Sequence, residues 1–428
     1  MSTKAQATSR LSFIDVLRGV GVVLMIQLHT AHGWVLPEAR SGGVWQAAQF
    51  WGGLAAPIFL TLAGTSLGLK FARAHARGQI PRYAEELRRA LQLVVLGYLL
   101  RLQMWFIDAG GYARPDAYLA QALLLAAYAL TYFTLGHASF RSLAMFSGLG
   151  GAGVLFAGGL WQTSLHAPER LTGVTRVDIL QCIGGSLALV IGVAALHGRR
   201  FRLRTFYVLA AVAVAFITVW TRSWVPGPLP PPIAAYLGQW PAEPGRSIVG
   251  LFPLFPWAAY AFAGAAFGLF CARTPAHKLV RRMIVVGFVA LAIALATRET
   301  TAHAVLAEWP WLTQPIRVTQ RIAWVIALGG ASALVTAIAP AIVAPFESFG
   351  RASLLVYWVH LEFAFGAASF GFAKELCLTP WAIGAFGLIL AMWLVAQIRL
   401  GVEAKPPHSI GPSEGPPAPG ERTHSAPG

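Results

Sequence analysis

The chain has 428 residues, 56% of them hydrophobic and only 12% charged, with a formal net charge of +16. Its mean hydropathy is +0.60. Soluble proteins carry about 25% charged residues, so the soluble, collagen-like and disulfide-stapled classes are excluded and an all-α polytopic membrane bundle is expected.

The positive charge does not imply nucleic-acid binding. Lys and Arg gather in short stretches between apolar runs, as in cytoplasmic loops, and no basic module interleaved with aromatics is present. Cys182, Cys271 and Cys377 lie in or beside apolar stretches without CxxC or Cys/His spacing, so neither a disulfide framework nor a zinc site is expected. The first apolar run is too long for a cleavable signal peptide.

A helix needs about 20 apolar residues to cross the hydrocarbon core. In chain order such runs fall at 19–36, 48–69, 91–107, 117–135, 143–160, 177–196, 205–220, 248–271, 284–296, 322–343, 353–372 and 381–400. The fifth is Gly-rich and the ninth short, so ten to twelve spans are expected. Three stretches are read as cytoplasmic basic loops. The first holds Lys70, Arg73, Arg77, Arg82, Arg88 and Arg89, the second Arg199, Arg200, Arg202 and Arg204, and the third Arg273, Lys278, Arg281 and Arg282. The alternate loops are richer in Trp, Pro and acids, including Glu308. This alternation predicts an inner-membrane protein with both termini cytoplasmic. Residues 1–13 form a cytoplasmic segment, 14–400 the membrane domain and 401–428 a disordered, Pro/Gly/Ser-rich tail.

Four stretches could carry chemistry. In the first span Asp15 and Arg18 sit one turn apart and can pair. The same stripe continues through Val22 and Met25 to His29 and His32. It is expected to line a polar passage, because a His in a span usually faces a cavity or a partner. Neutral imidazole can take a proton from a hydroxyl or amine nucleophile. The alternatives are interhelical hydrogen-bonding for the histidines and simple anchoring for the ion pair. In the second stretch Ser353, Tyr357 and His360 share a face with Arg351 at its edge, while Glu362 points elsewhere. Interfacial anchoring is the competing role there. The third stretch places Asp178 and Gln181 one turn apart, where Asp178 could instead cap its helix. In the fourth, Pro253 and Pro256 suit a broken helix mouth ahead of Gly264 and Gly268, a GxxxG pair that ordinarily signals close packing.

These stretches, in this order, resemble the heparan-α-glucosaminide N-acetyltransferase catalytic family of transmembrane acyltransferases. The likeness rests on Arg10, Asp15, Arg18 and Gly19 with His29 beyond, and on Ala55 to Leu60 with Ala63 and Gly64. It continues through Asp178 to Gly184, Phe255 to Trp257, and Gly350 to Tyr357 with His360. It implies acyl transfer from cytoplasmic acyl-CoA, acetyl-CoA above all, to a sugar or amino-sugar acceptor at the opposite face. It also implies an essential His after the first span, where this chain offers His29 and His32. The family's Gln is commonly followed by Arg; here Gln181 precedes Cys182. The short outer loops favour a small or lipid-linked glycan over a long polymer.

Acyl transfer needs a base, donors to the developing oxyanion and an anchor for the donor. His29 or His32 is the candidate base, with Asp178 or His360 as orienting partner. Tyr357 and Gln181 are candidate oxyanion donors, and Asp15, Arg18 and Ser353 candidate substrate contacts. Arg73, Arg88, Arg89, Arg199 and Arg202 could meet the CoA phosphates. The bilayer is the expected surrounding, a homodimer is a candidate assembly, and no metal is called for. A glycan or solute transporter or flippase and a non-enzymatic scaffold are the rival readings, separable by acyl-CoA turnover.

Overall fold

A computed structural model describes residues 11–110, 176–197, 202–223, 231–238, 250–296, 309–369 and 371–404. The expected spans at 117–135 and 143–160, together with Arg199, Arg200, Glu308 and the tail from 405, lie outside the described residues. Within them the chain is helical, broken only by turns and two single β-bridges. The helices are α1 (Ser12–Trp34), α2 (Gly42–Gly52), α3 (Ala55–Ala76), α4 (Tyr83–Gly110), α5 (Ile179–His197), α6 (Leu203–Ser223) and α7 (Pro231–Leu237). They continue with α8 (Leu254–Arg273), α9 (Ala276–Ala296), α10 (Thr313–Ile338), α11 (Pro340–Arg351), α12 (Ser353–Ala364) and α13 (Leu378–Ala404). Eight helical stretches among the described residues are long and apolar enough to cross a membrane. The protein is an all-α, multi-pass integral membrane bundle.

Proline and small residues set where helices stop. Ala339 (φ −144°, ψ 63°) separates α10 from α11 immediately before Pro340, since the residue preceding proline is pushed out of the helical region. The expected span 322–343 is therefore two helices. Phe255 (φ −105°, ψ 115°) breaks the entry of α8 in the same way before Pro256. The run 48–69 divides at Gly53 and Leu54, and α3 continues to Ala76, carrying Lys70 and Arg73 on helix rather than loop. The third basic loop shrinks to Thr274 and Pro275, and Lys278, Arg281 and Arg282 ride on the first turns of α9. Long basic side chains reach water from a helix end, so charge does not have to end a helix. The run 353–372 yields a helix of only 12 residues, about 18 Å long and too short to cross about 30 Å of hydrocarbon.

The bundle is built on a seam between α3 and α8, which run parallel. A Cβ on Gly64 or Gly68 would overlap the backbone of Ala261 or Ala265, and one on Gly264 or Gly268 that of Thr61 or Thr65. The expected packing role of Gly264 and Gly268 is met by a second GxxxG on the partner helix, which lets the backbones touch. Helices α5 and α6 cover this seam with Val190, Tyr207 and Val214. On the other flank α1 packs against α11, α12 and α13 through Val22, Ile26, Phe349, Val356 and Met392. Outward rows such as Ile383, Phe386, Leu390 and Leu394 on α13 stay exposed, as lipid-facing surfaces do.

Neighbouring contacts define two ends. At one, which we call the histidine end, α1 finishes and α13 begins: Trp381 Nε1 donates to Thr30 Oγ1 at 3.1 Å and Trp34 Nε1 to the Phe363 carbonyl at 3.0 Å. At the other, the basic end, α4 begins and α5 finishes, with Tyr83 Oη donating to the Ala194 carbonyl at 3.4 Å.

Candidate active site

The short helix α12 lies beside the last turns of α1. Gly33 permits this, because a Cβ there would overlap the Ala364 carbonyl. The contact brings His29 and His360 together. His29 Nδ1 stands 2.8 Å from His360 Nε2, and the rings lie edge to edge with centroids 5.1 Å apart and planes within 3°, the in-plane arrangement of a nitrogen-to-nitrogen hydrogen bond. Phe365 closes one side of the pair at 5.6 Å. His360 is fully buried, and its Nδ1 is 2.8 Å from the Val356 carbonyl.

A carbonyl only accepts, so His360 Nδ1 carries the proton and donates to Val356. In a neutral ring its Nε2 is then an acceptor. His29 Nδ1 must therefore donate, which leaves the lone pair of the neutral His29 on Nε2. The backbone of α12 thus selects the tautomer of both rings, the positions of the protons following from the hydrogen-bond network.

The polar tract continues along α12 and across to α4 and α5. Tyr357 packs 5.8 Å from the His360 ring, centroid to centroid, and lies within electrostatic reach of Asp178 and Arg176. Asp178 accepts from Arg176 Nε at 3.0 Å and sits 3.9 Å from Arg101 Nη1. Of the two expected orienting partners, His360 touches His29, whereas Asp178 is held by two arginines beyond Tyr357. Arg176 and Arg101 were missed as site residues. Arg101 sits on an apolar helix far away in sequence and carries no local motif. Gln181, one turn beyond Asp178, is fully buried against Gly97, and neither of its amide atoms has a hydrogen-bond partner among the described residues. Buried amides are rarely left so. Ser353 lies two turns along α12 from His360, toward the basic end, and the buried Glu362 lies off their shared face, against Gly366.

His32 is separated from this tract. It is exposed and faces α2, with Nε2 2.8 Å from Gln49 Oε1, while Arg40 Nη2 donates to the His32 carbonyl at 3.0 Å. The shared stripe of α1 therefore divides, His29 meeting α12 and His32 meeting α2. The polar passage expected along that stripe is not open at its middle. Val22 is fully buried and Met25 nearly so, both packed in the apolar cluster with Phe349, Ala352 and Val356. Alternating small and large apolar groups fill the space that a passage would need. At the start of α1, Arg18 Nη1 donates to the buried Asp15 at 2.9 Å, and Gly350 packs against the Asp15 backbone.

At the basic end a cavity of about 580 Å³ is lined by Lys70, Arg73, Arg77, Arg82, Arg89 and the carboxylates Glu85 and Glu86, among others. Five cations against two carboxylates leave it positive. Glu86 accepts from Lys70 at 2.9 Å and from Arg89 at 2.6 Å, and Glu85 from Arg82 at 3.1 Å. Arg88 is exposed and does not line the cavity, and Arg202 is exposed at the start of α6. The residues from Tyr83 to Arg101 on α4 span about 27 Å at 1.5 Å per residue, so the cavity and the Asp178 cluster lie at opposite ends of one helix.

The sequence profile described as "Heparan-alpha-glucosaminide N-acetyltransferase, catalytic" matches residues 10–296. That stretch includes His29, His32, Asp178, Gln181 and the α3–α8 seam, while Tyr357 and His360 follow it. No curated protein matches the chain significantly. The match covers well over half of the 428 residues and, with the multi-pass fold already described, assigns the chain to a family of membrane acyltransferases: it belongs to the heparan-alpha-glucosaminide N-acetyltransferase catalytic family.

Proposed function

We propose that the protein transfers an acetyl group from acetyl-CoA, bound at the basic end, to a sugar or amino-sugar acceptor at the histidine end, with His29 as the base. The observation that carries this reading is the chain of contacts from the Val356 carbonyl through His360 to His29. It leaves an unprotonated nitrogen on a ring that cannot easily turn. His29 Nε2 accepts the proton of the acceptor's amine or hydroxyl as that atom attacks the thioester carbonyl carbon. The C–S bond then breaks, and the thiolate leaves with the proton returned by His29. His360 is a positioning residue. Tyr357, beside His360, and Gln181, whose buried amide has no partner among the described residues, are the proposed donors to the developing oxyanion. Asp178, held by Arg176 and Arg101, sets the field beside Tyr357.

The cavity at the basic end supports the donor assignment. Its volume is in the range of small-molecule sites, and Arg73 and Arg89 can meet phosphates with the paired N–H groups that suit guanidinium to them. Arg18, partly exposed at the same end, is a further candidate contact, Arg88 and Arg202 supply positive potential at that end, and Arg199 remains a candidate from sequence alone. By the positive-inside rule this end faces the cytoplasm, placing both termini there and the acceptor on the far side of the inner membrane.

The test is release of free CoA by purified protein given acetyl-CoA and a panel of amino sugars and glycans. At least one acceptor is expected to drive turnover, and a paired Arg73→Ala, Arg89→Ala variant is expected to raise the KM for acetyl-CoA by about tenfold, the loss of a charge-assisted contact, with little change in kcat. A protein that binds no acetyl-CoA and releases none with any acceptor is not this enzyme, and a transporter becomes the better reading.

A further inference from the structure

A second polar cleft lies at the histidine end, away from the imidazole pair. It is formed between the broken entry of α8 and the first turns of α10, has a volume of about 140 Å³, and is lined by Trp257, Tyr260, Gln314, Arg317 and Arg321 among others. Its polar groups are mostly donors and none of its lining residues is acidic. Elsewhere Arg18, Arg82, Arg89, Arg101 and Arg176 each hold a carboxylate, but among the described residues no carboxylate pairs with Arg317 or Arg321. The half-buried Arg321 is instead held by rings: its guanidinium lies 5.9 Å from the Trp257 centroid, and Tyr260 is within its electrostatic reach. This cation–π contact, with one N–H turned to the Tyr260 hydroxyl, leaves other guanidinium N–H groups for an oxyanion. Gln314 and Arg317 also stand in the first turn and a half of α10, a helix of 26 residues, whose positive dipole end favours negative charge.

The cleft is tied to the proposed acceptor side. The site of a Cβ on Gly53 is 3.9 Å from Arg321 Nη2, and one turn earlier on α2 Gln49 holds His32. Its volume is that of a few water molecules, enough for one phosphate or carboxylate and too little for a nucleotide, so it does not duplicate the donor cavity.

We propose that this cleft is an oxyanion subsite that anchors the charged group of the acceptor, a sugar bearing a phosphate or a carboxylate. The proposal rests on the acceptor arriving at the histidine end. Arg317 and Arg321 clamp the oxyanion, Gln314 adds an amide donor, and the sugar extends from there toward the histidines.

The test is binding without any acyl donor, on protein in phosphatidylcholine nanodiscs at constant ionic strength, by calorimetry with glucose, glucose 1-phosphate and glucuronate. At least one charged sugar is expected to bind about tenfold or more tightly than glucose. Arg317→Gln, an exposed substitution that leaves packing intact, and Arg321→Gln are each expected to remove most of that preference. Preference for the phosphate identifies a phosphosugar such as a lipid-linked one, and preference for the carboxylate an acidic sugar. Equal binding of charged and neutral sugars, or an unchanged preference in a folded Arg317→Gln protein, overturns the subsite. Because no donor is present, a failure here is distinct from a failure of CoA release, which would remove the acyl-transfer reading while leaving the anion binding measurable.

Discussion

The α3–α8 seam and the α1–α12 contact are both made by glycine, yet they serve different ends. At the seam, four glycines bring two backbones together, and the flanking polar side chain turns back on its own helix: Thr65 Oγ1 donates to the Thr61 carbonyl at 2.7 Å. At α1–α12, Gly33 achieves the same closeness, but the side chains bring two imidazoles edge to edge, nitrogen to nitrogen, across it. Close approach is thus a scaffold device in one place and a means of coupling two titratable groups in the other. What distinguishes them is whether the polar groups are satisfied within a helix or between helices.

The largest expected effect breaks the scaffold. In Gly264→Leu the new Cβ would overlap the Thr61 carbonyl, which is backbone and cannot swing away. Overpacking commonly costs about 1–3 kcal/mol, and here it should exceed that range, leaving little monodisperse protein on gel filtration in detergent. Gly192→Ala is the matched control on α5. Nothing lies within 4 Å of its added Cβ, so it should fold normally and gain a few tenths to about 1 kcal/mol in helix propensity. Comparable yields from the two variants would remove the seam from its central role.

The next effect leaves the scaffold intact and removes the coupling. His29→Ala should fold and bind acetyl-CoA while losing about two to four orders of magnitude in acyl transfer. His360→Phe keeps a buried ring beside His29 but no longer accepts its N–H. The expected result is a fall of about a hundredfold in kcat with KM for both substrates nearly unchanged, because the tautomer of His29 is no longer selected. Full activity in a folded His360→Phe protein would take the pair out of the mechanism.

The smallest effect is expected at His32. Its bond to Gln49 is exposed, and such a contact is worth about 1 kcal/mol or less, so His32→Ala should alter the rate by no more than a few-fold. A larger loss than for His29→Ala would move the base from the α12 side of α1 to the α2 side, nearer the cleft at Arg321.

Much of the architecture was legible from local pattern. Apolar runs of membrane length, the GxxxG spacing at Gly264 and Gly268, and the broken helix entry at Pro256 are short-range features. A helix in lipid must satisfy its own backbone, and proline cannot. The same patterns overran at 322–343 and 353–372, where hydrophobicity continues across the breaks at Ala339 and after Ala364. They also misplaced Lys278, Arg281 and Arg282 in a loop.

The chemistry was legible only in part. A histidine stripe on α1 follows from helical period, and so does the shared face of Tyr357 and His360. Which histidine meets which partner does not, because His29 and His360 are 331 residues apart and periodicity says nothing about the neighbour a face will find. For the same reason Val22 reads as the middle of a polar stripe in sequence but is sealed by Phe349 and Val356 in the fold, and Asp178 reads as a partner for histidine but is taken by Arg101 and Arg176. Composition and period determined that this chain is a helical membrane bundle with imidazoles near one end. The fit of small residues between distant helices decided that one of those imidazoles is held by another, since only packing in three dimensions brings such groups within hydrogen-bond reach.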